Sequence, residues 1–292
     1  MKERMAVYRQ LHQVNTNLVW KPFAVPLLRI ATPFICNFKV DVSFEEALPL
    51  DGGLVFAQNH LNFFDSLVFD KAMKGKKYYC LAGDEPKGTI QGLSFEAKGT
   101  VWIARNSIDS RNAAKITLER LLEKGQNLSW VPEGTWNTTE NRLMLPISRG
   151  MAQVAITSAQ KAKVYIVPVV VDYQYKEGSH KVKRASVQVC KAVQVSAADT
   201  PEELTERLET IFWTTRWKQI EAQMALSPYR IQTENGYVYP RARLSREKWQ
   251  HFVEKLHSQY KCDWSAEESY AIKTQVQKDH AEIARVLPWI RK

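Results

Sequence analysis

An α/β fold is what this chain predicts: a mostly parallel or mixed central sheet flanked by helices, with an N-terminal helical pair and a C-terminal helical extension. Three observations carry the prediction. From about Leu54, short β-branched or aromatic runs alternate with stretches of helical periodicity. Of 292 residues, 45% are hydrophobic and 11% aromatic, enough to bury a sizeable core without cross-links. Neither glycine nor proline recurs at a fixed period, which excludes a collagenous repeat, and the apolar content excludes a disordered chain.

The elements follow in chain order. Residues 1–40 read as helical, and their apolar stretch from Pro22 to Cys36 falls short of the roughly 20 residues a spanning helix needs. Arg29 and three prolines, Pro22, Pro26 and Pro33, interrupt it further. Leu18, Trp20, Phe23, Leu27, Ile30 and Phe34, flanked by Arg9, Lys21 and Lys39, suit burial on the main core or residence in a bilayer interface. Both readings stand. No apolar signal region with a small-residue cleavage site follows the charged start, so no signal peptide is expected. Cys36, Cys80, Cys190 and Cys262 are scattered without a C-x-x-C pair and read as packed thiols in a reducing, cytoplasmic setting.

Strands are expected at 54–58, 78–82, 100–104, 127–131, 164–171 and 186–195. A helix over 110–124 places Ala114, Thr117, Leu118, Leu121 and Leu122 on one face, with Gly125 as its C-cap. A second helix is expected over 149–162. Pro201 opens a third, running to about Ala225, with Thr200 as N-cap and acids in the first turn. These elements make residues 41–225 one α/β domain. Beyond it, 226–292 change in composition: Gly236 and Pro240 mark loops, and 245–258 and 265–285 read as helices.

Charge bounds the partners. Lys and Arg number 41 against 31 Asp and Glu, a formal net charge of +10. Such a surface suits nucleic acid, an anionic membrane or a phosphorylated, CoA-like ligand. No zinc finger or RNP-type aromatic strand is present, so nucleic acid is not the expected partner. His251, Glu254 and His257 share a three-residue spacing but lack the H-E-x-x-H order, so no metal or other cofactor is expected.

Three polar clusters each follow an expected strand, and in open α/β sheets such strand ends converge on one crevice if the strands are parallel. Asn59-His60-Leu-Asn-Phe-Phe-Asp65 places a histidine, able to accept a hydroxyl proton near neutral pH, five residues before a carboxylate that can fix its tautomer. Alone, the pair equally describes a helix-capping aspartate beside a hydrogen-bonded histidine. The run from Gly99 ends in Arg105, whose guanidinium can grip phosphate or carboxylate or simply be solvated. Glu133-Gly134-Thr135 offers a carboxylate, a close backbone approach and a hydroxyl, or merely a tight turn.

Taken together these blocks resemble the glycerophospholipid acyltransferase family. The ordered matches are N-H-x-x-x-x-D at Asn59 to Asp65, the glycine-to-arginine block at Gly99 to Arg105, E-G-T at Glu133 to Thr135, and the valine-proline strand around Pro168. The stretch 143–150, with Arg149 before Gly150, is similar too. The resemblance implies His60 as general base oriented by Asp65, an acyl-CoA or acyl-carrier-protein thioester as donor, and a lyso-glycerolipid hydroxyl as acceptor. It also implies acceptor binding by Asn59, Arg105, Glu133, Gly134, Thr135 and Arg149, at the cytoplasmic face of an anionic membrane. No G-x-S-x-G nucleophile elbow occurs, in keeping with direct transfer. The family usually continues E-G-T with arginine and serine, whereas this chain has Trp136 and Asn137; loss of that cation removes a phosphate partner and opens the acceptor to related lysophospholipids or glycolipids beside lysophosphatidic acid. A thioesterase-like hydrolase and a non-catalytic membrane-binding relative are the alternatives.

Overall fold

A computed structural model of the chain describes residues 2–61, 64–74, 76–84, 86–88, 90–134, 144–175 and 182–226. The elements are, in order, α1 (Lys2–Ile35), β1 (Lys39–Phe44), β2 (Gly53–Gln58), α2 (Asp65–Ala72), β3 (Tyr79–Gly83), α3 (Ile90–Lys98) and β4 (Thr100–Ile103). They continue with α4 (Ile108–Glu123), β5 (Leu128–Trp130), α5 (Arg149–Ala159), β6 (Val164–Tyr175), β7 (Val182–Val189), β8 (Val193–Gln194) and α6 (Pro201–Leu226). The strands form one mixed sheet in the order β1-β7-β6-β2-β5-β3-β4, with β8 pairing the start of β6. From β6 across to β4 every neighbouring pair is parallel; β7 returns antiparallel along β6, and β1 lies parallel to β7.

Helices cover both faces. One face carries α4, α5 and α6, whose Leu118, Leu122, Met151, Leu208 and Phe212 pack on Val55, Ala57, Leu128 and Ile166. The other carries α2, whose Val68 and Phe69 pack on Phe56, Val167, Val169 and Tyr173. A strand covered on both sides has no solvent face, and all six residues of β2 are buried.

Local chemistry sets the helix ends. Ser107 caps α4, accepting from the Ser110 N–H at 3.1 Å. Gly125, at φ +69°, ends it: the N–H groups of Gly125 and Gln126 return to the carbonyls of Leu122 and Leu121, as the expected glycine cap requires. Thr200 and Glu203 form a reciprocal capping box at the start of α6.

Three expectations change. The N-terminal helical pair is a single helix, α1, that runs through Pro22, Pro26 and Pro33. Each proline loses its own N–H bond and crowds the carbonyl four residues before it, yet the helix continues past all three. The first half of α1 is anchored by Val7 and Val14, both buried, and by Gln10, which donates to the Trp102 carbonyl and accepts from Thr117. Alternation also begins earlier than Leu54, at β1, a charged and mostly exposed edge strand. Finally, the single strand expected over 186–195 is β7 and β8, separated where the Cys190 N–H turns to the Pro168 carbonyl. The helices expected over 245–258 and 265–285, including His251, Glu254 and His257, lie outside the described residues.

Candidate active site

Because β2, β5 and β4 are parallel, the residues that follow them emerge along the same edge of the sheet. Asn59 and His60 leave β2, Glu133 and Gly134 leave β5, and Arg105 leaves β4. The first two groups touch. Arg105 stands at the same edge with β3 between β4 and β5; it is exposed, and its carbonyl accepts from Arg111 at 2.5 Å.

His60 and Asp65 form a hydrogen-bonded pair, Nδ1 to Oδ2, at 2.7 Å. Asp65 is the first residue of α2, so the helix start holds it while the loop from β2 brings the imidazole back to it. The same Oδ2 accepts the Leu61 N–H at 2.7 Å, and Oδ1 accepts the Tyr173 hydroxyl at 2.5 Å. With Nδ1 as the donor, the imidazole lone pair resides on Nε2, the arrangement a general base needs. Burial divides the pair: the Asp65 side chain is 3% exposed and that of His60 is 24%, so only the histidine meets solvent.

Asn59 does something else. It is buried, its Nδ2 donates to the Val171 carbonyl at 3.0 Å, and its Oδ1 accepts the Val171 N–H at 2.7 Å. The side chain thus mimics a further rung of the β2–β6 ladder just past its last backbone pair. That fixes where His60 departs from the sheet.

Glu133 is fully buried, with Oε1 accepting the His60 N–H and Oε2 the Leu145 N–H, both at 2.7 Å. It therefore ties the β5 turn, the histidine loop and the segment before α5 into one unit, reinforced by the Ser148 N–H bond to the Pro132 carbonyl. Burial pushes its carboxyl up to about 8, against the pull of its two N–H donors; the nearby Asp65 adds to the rise, and the Arg216 guanidinium opposes it. Gly134 turns at φ +71°, a left-handed conformation glycine adopts without strain. Thr135, with Trp136 and Asn137, lies outside the described residues. Arg149 pairs at the surface with Glu202 of α6 at 2.7 Å, and no described contact joins it to His60.

Two participants had no signal in the sequence. Tyr173 lies 108 positions from Asp65. Arg216 of α6 is buried against Asp172, with which it pairs, and its Nη1 also donates to the Val171 carbonyl at 3.3 Å. Consecutive residues of β6 thus gather the assembly: Val171 holds Asn59 and takes a bond from Arg216, Asp172 pairs with Arg216, and Tyr173 holds Asp65.

The two-faced α/β sheet matches what comparison with solved structures finds. Residues 39–172, a little under half of the chain, match the family model described as Acyltransferase, which supports an acyltransferase domain there. Among solved structures it is similar to the crystal structure of the 1-acyl-sn-glycerophosphate (LPA) acyltransferase PlsC from Thermotoga maritima, at a TM-score of 0.52 and 14% identity. That alignment covers 74% of this chain and 87% of the other, and it establishes the likeness of fold. No curated protein sequence matches the chain.

Proposed function

We propose that this acyltransferase moves a fatty acyl group from an acyl-CoA or acyl-carrier-protein thioester to the hydroxyl of a lyso-glycerolipid, 1-acyl-glycerol-3-phosphate or a related lysophospholipid or glycolipid. The observation that carries the reading is the 2.7 Å contact between a half-buried His60 and a buried Asp65 at the carboxyl end of β2. His60 Nε2 takes the proton of the acceptor hydroxyl as its oxygen attacks the thioester carbonyl. Asp65 steadies the resulting imidazolium. The new C–O bond forms, the C–S bond breaks, and the thiolate leaves with the proton that His60 returns. Arg105, which follows β4 at the same strand ends, is a cation for an acceptor's phosphate, and Thr135, next after Gly134 in sequence, is assigned to the head group by the family resemblance alone.

Membrane partnership rests on α1. Phe23, Leu27 and Ile30 recur at four- and three-residue spacing and are 72%, 67% and 67% exposed, an apolar stripe along one side of the helix. Among the described residues no helix is long and apolar enough to cross a membrane, so the stripe suits an interfacial seat, with the net charge of +10 favouring an anionic surface.

The test is incubation with labelled acyl-CoA, acyl-carrier-protein thioesters and a panel of lyso-lipids. Acylated lipid is expected in the wild type, and His60→Ala should lose at least about a hundredfold in rate while melting as the wild type does. Undiminished transfer in that variant refutes the mechanism. Free fatty acid formed equally with and without acceptor would establish a thioesterase instead.

A further inference from the structure

We infer that Tyr173 is a positioning residue of the reaction, acting through Asp65; this rests on the general-base reading of His60. The observation is geometric. Tyr173 is 2% exposed, and its hydroxyl donates to Asp65 Oδ1 at 2.5 Å, while His60 and the Leu61 N–H occupy Oδ2. The two carboxylate oxygens are thereby divided, one toward β6 and one toward the imidazole. A carboxylate held at both oxygens cannot swing about its terminal torsion, so the imidazole it orients keeps one tautomer and one plane.

The tyrosine is itself held firmly. Its ring stands edge-on to Phe38 at 6.5 Å between centroids, and Phe38 meets Phe64, the residue before Asp65, at 5.3 Å. Its strand is pinned one residue away by the buried Asp172–Arg216 pair and two residues away by Asn59. Tyr173 lies just beyond the residues 39–172 that match the family model, so its role is read from this structure and not from that match.

Donation by Tyr173 also sets how strongly Asp65 draws on the imidazole. A phenol O–H withdraws negative charge from the carboxylate; without it Asp65 becomes a stronger acceptor and holds the imidazolium more tightly. His60 must be neutral to act as a base, so losing Tyr173 moves the acid limb of the pH–rate profile upward. Among the described residues, Glu133, which follows β5, feels both Asp65 and Arg216, and Arg216 is itself paired with Asp172, so that its charge is offset.

Tyr173→Phe keeps the ring and removes the hydroxyl. The expected result is a roughly tenfold fall in kcat, KM for donor and acceptor within about twofold, and an acid limb displaced upward by several tenths of a pH unit. Histidine-selective 15N NMR, with His60 identified by the signal lost in His60→Ala, should show its titration displaced in the same sense. Wild-type rates and an unmoved His60 titration in a folded Tyr173→Phe protein overturn the inference. If that variant does not fold, 3-fluorotyrosine placed at 173, a more acidic donor of similar size, should move the limb and the titration downward; no movement is equally fatal. A wild type that transfers nothing while its His60 titration responds to Tyr173 would refute the function and leave the positioning role standing.

Discussion

Asn59 and His60 are neighbours with opposite tasks. The asparagine is spent on backbone, closing the last rung between β2 and β6 at Val171, and the histidine it launches keeps a quarter of its side chain in solvent. Glu133, too, is turned to backbone: fully buried, it holds the His60 N–H and the Leu145 N–H. Its titration yields a test. The folded chain keeps this proton up to about 8, whereas the unfolded chain releases it near the ordinary 4.5. Stability therefore falls as pH rises through that window, by at most about 1.4 kcal/mol per pH unit for one proton. Glu133→Gln cannot titrate, so thermal melting of this variant between pH 5 and 8 should decline less steeply than that of the wild type; parallel declines would contradict the assignment. Of the site, the His60–Asp65 pair was legible because both partners fall within five residues on one strand-to-helix turn. The clamping roles of Asn59 and Glu133 were not, since each bonds to backbone, and a backbone group carries no mark in sequence.

Among the elements, the parallel strands and the amphipathic helices α4, α5 and α6 were legible from periodicity and caps, because their apolar faces repeat at intervals a buried surface demands. Two readings missed for physical reasons: β1 is a short, mostly exposed edge strand that alternates polar and apolar residues without the continuous apolar run of the buried strands, and α1 carries prolines that individually argue for a break. The contribution of α6 is the least visible, since its Arg216 reaches Asp172 across 44 positions. This buried ion pair fastens α6 to the strand that also carries Tyr173. Arg216→Met leaves the Asp172 charge buried without its cation and should cost roughly 3–5 kcal/mol in chemical denaturation, most of it regained in the double variant Asp172→Leu/Arg216→Met. Equal stability of the single variant and the wild type would show that the pair does not hold the helix.

For the molecule as a whole, the proposed membrane partner would engage the apolar stripe and the charge together. Vesicle binding should weaken when Phe23, Leu27 and Ile30 are replaced by serine, with little change in melting, because these side chains are already exposed. Binding to anionic vesicles should also fall as salt rises from about 0.01 M to about 0.15 M, over which the screening length contracts from about 30 to about 8 Å. Salt-independent binding to the same vesicles would assign the attraction to the apolar stripe alone. The charge that by itself admitted nucleic acid, membrane and phosphorylated ligands narrows under the proposed function, in which the exposed apolar stripe of α1 meets an anionic surface.

By itself the sequence determined the α/β class, the three polar clusters at strand ends and the His60–Asp65 pair, because hydrophobic periodicity and short-range spacing are local properties of the chain. Tertiary structure alone decided which clusters meet, that Asn59 and Glu133 serve the backbone, and that Tyr173 and Arg216 belong to the same assembly. Those contacts join residues 44 to 112 positions apart. They exist only because the parallel strands set β2 between β6 and β5, and no local pattern records which strand will be its neighbour.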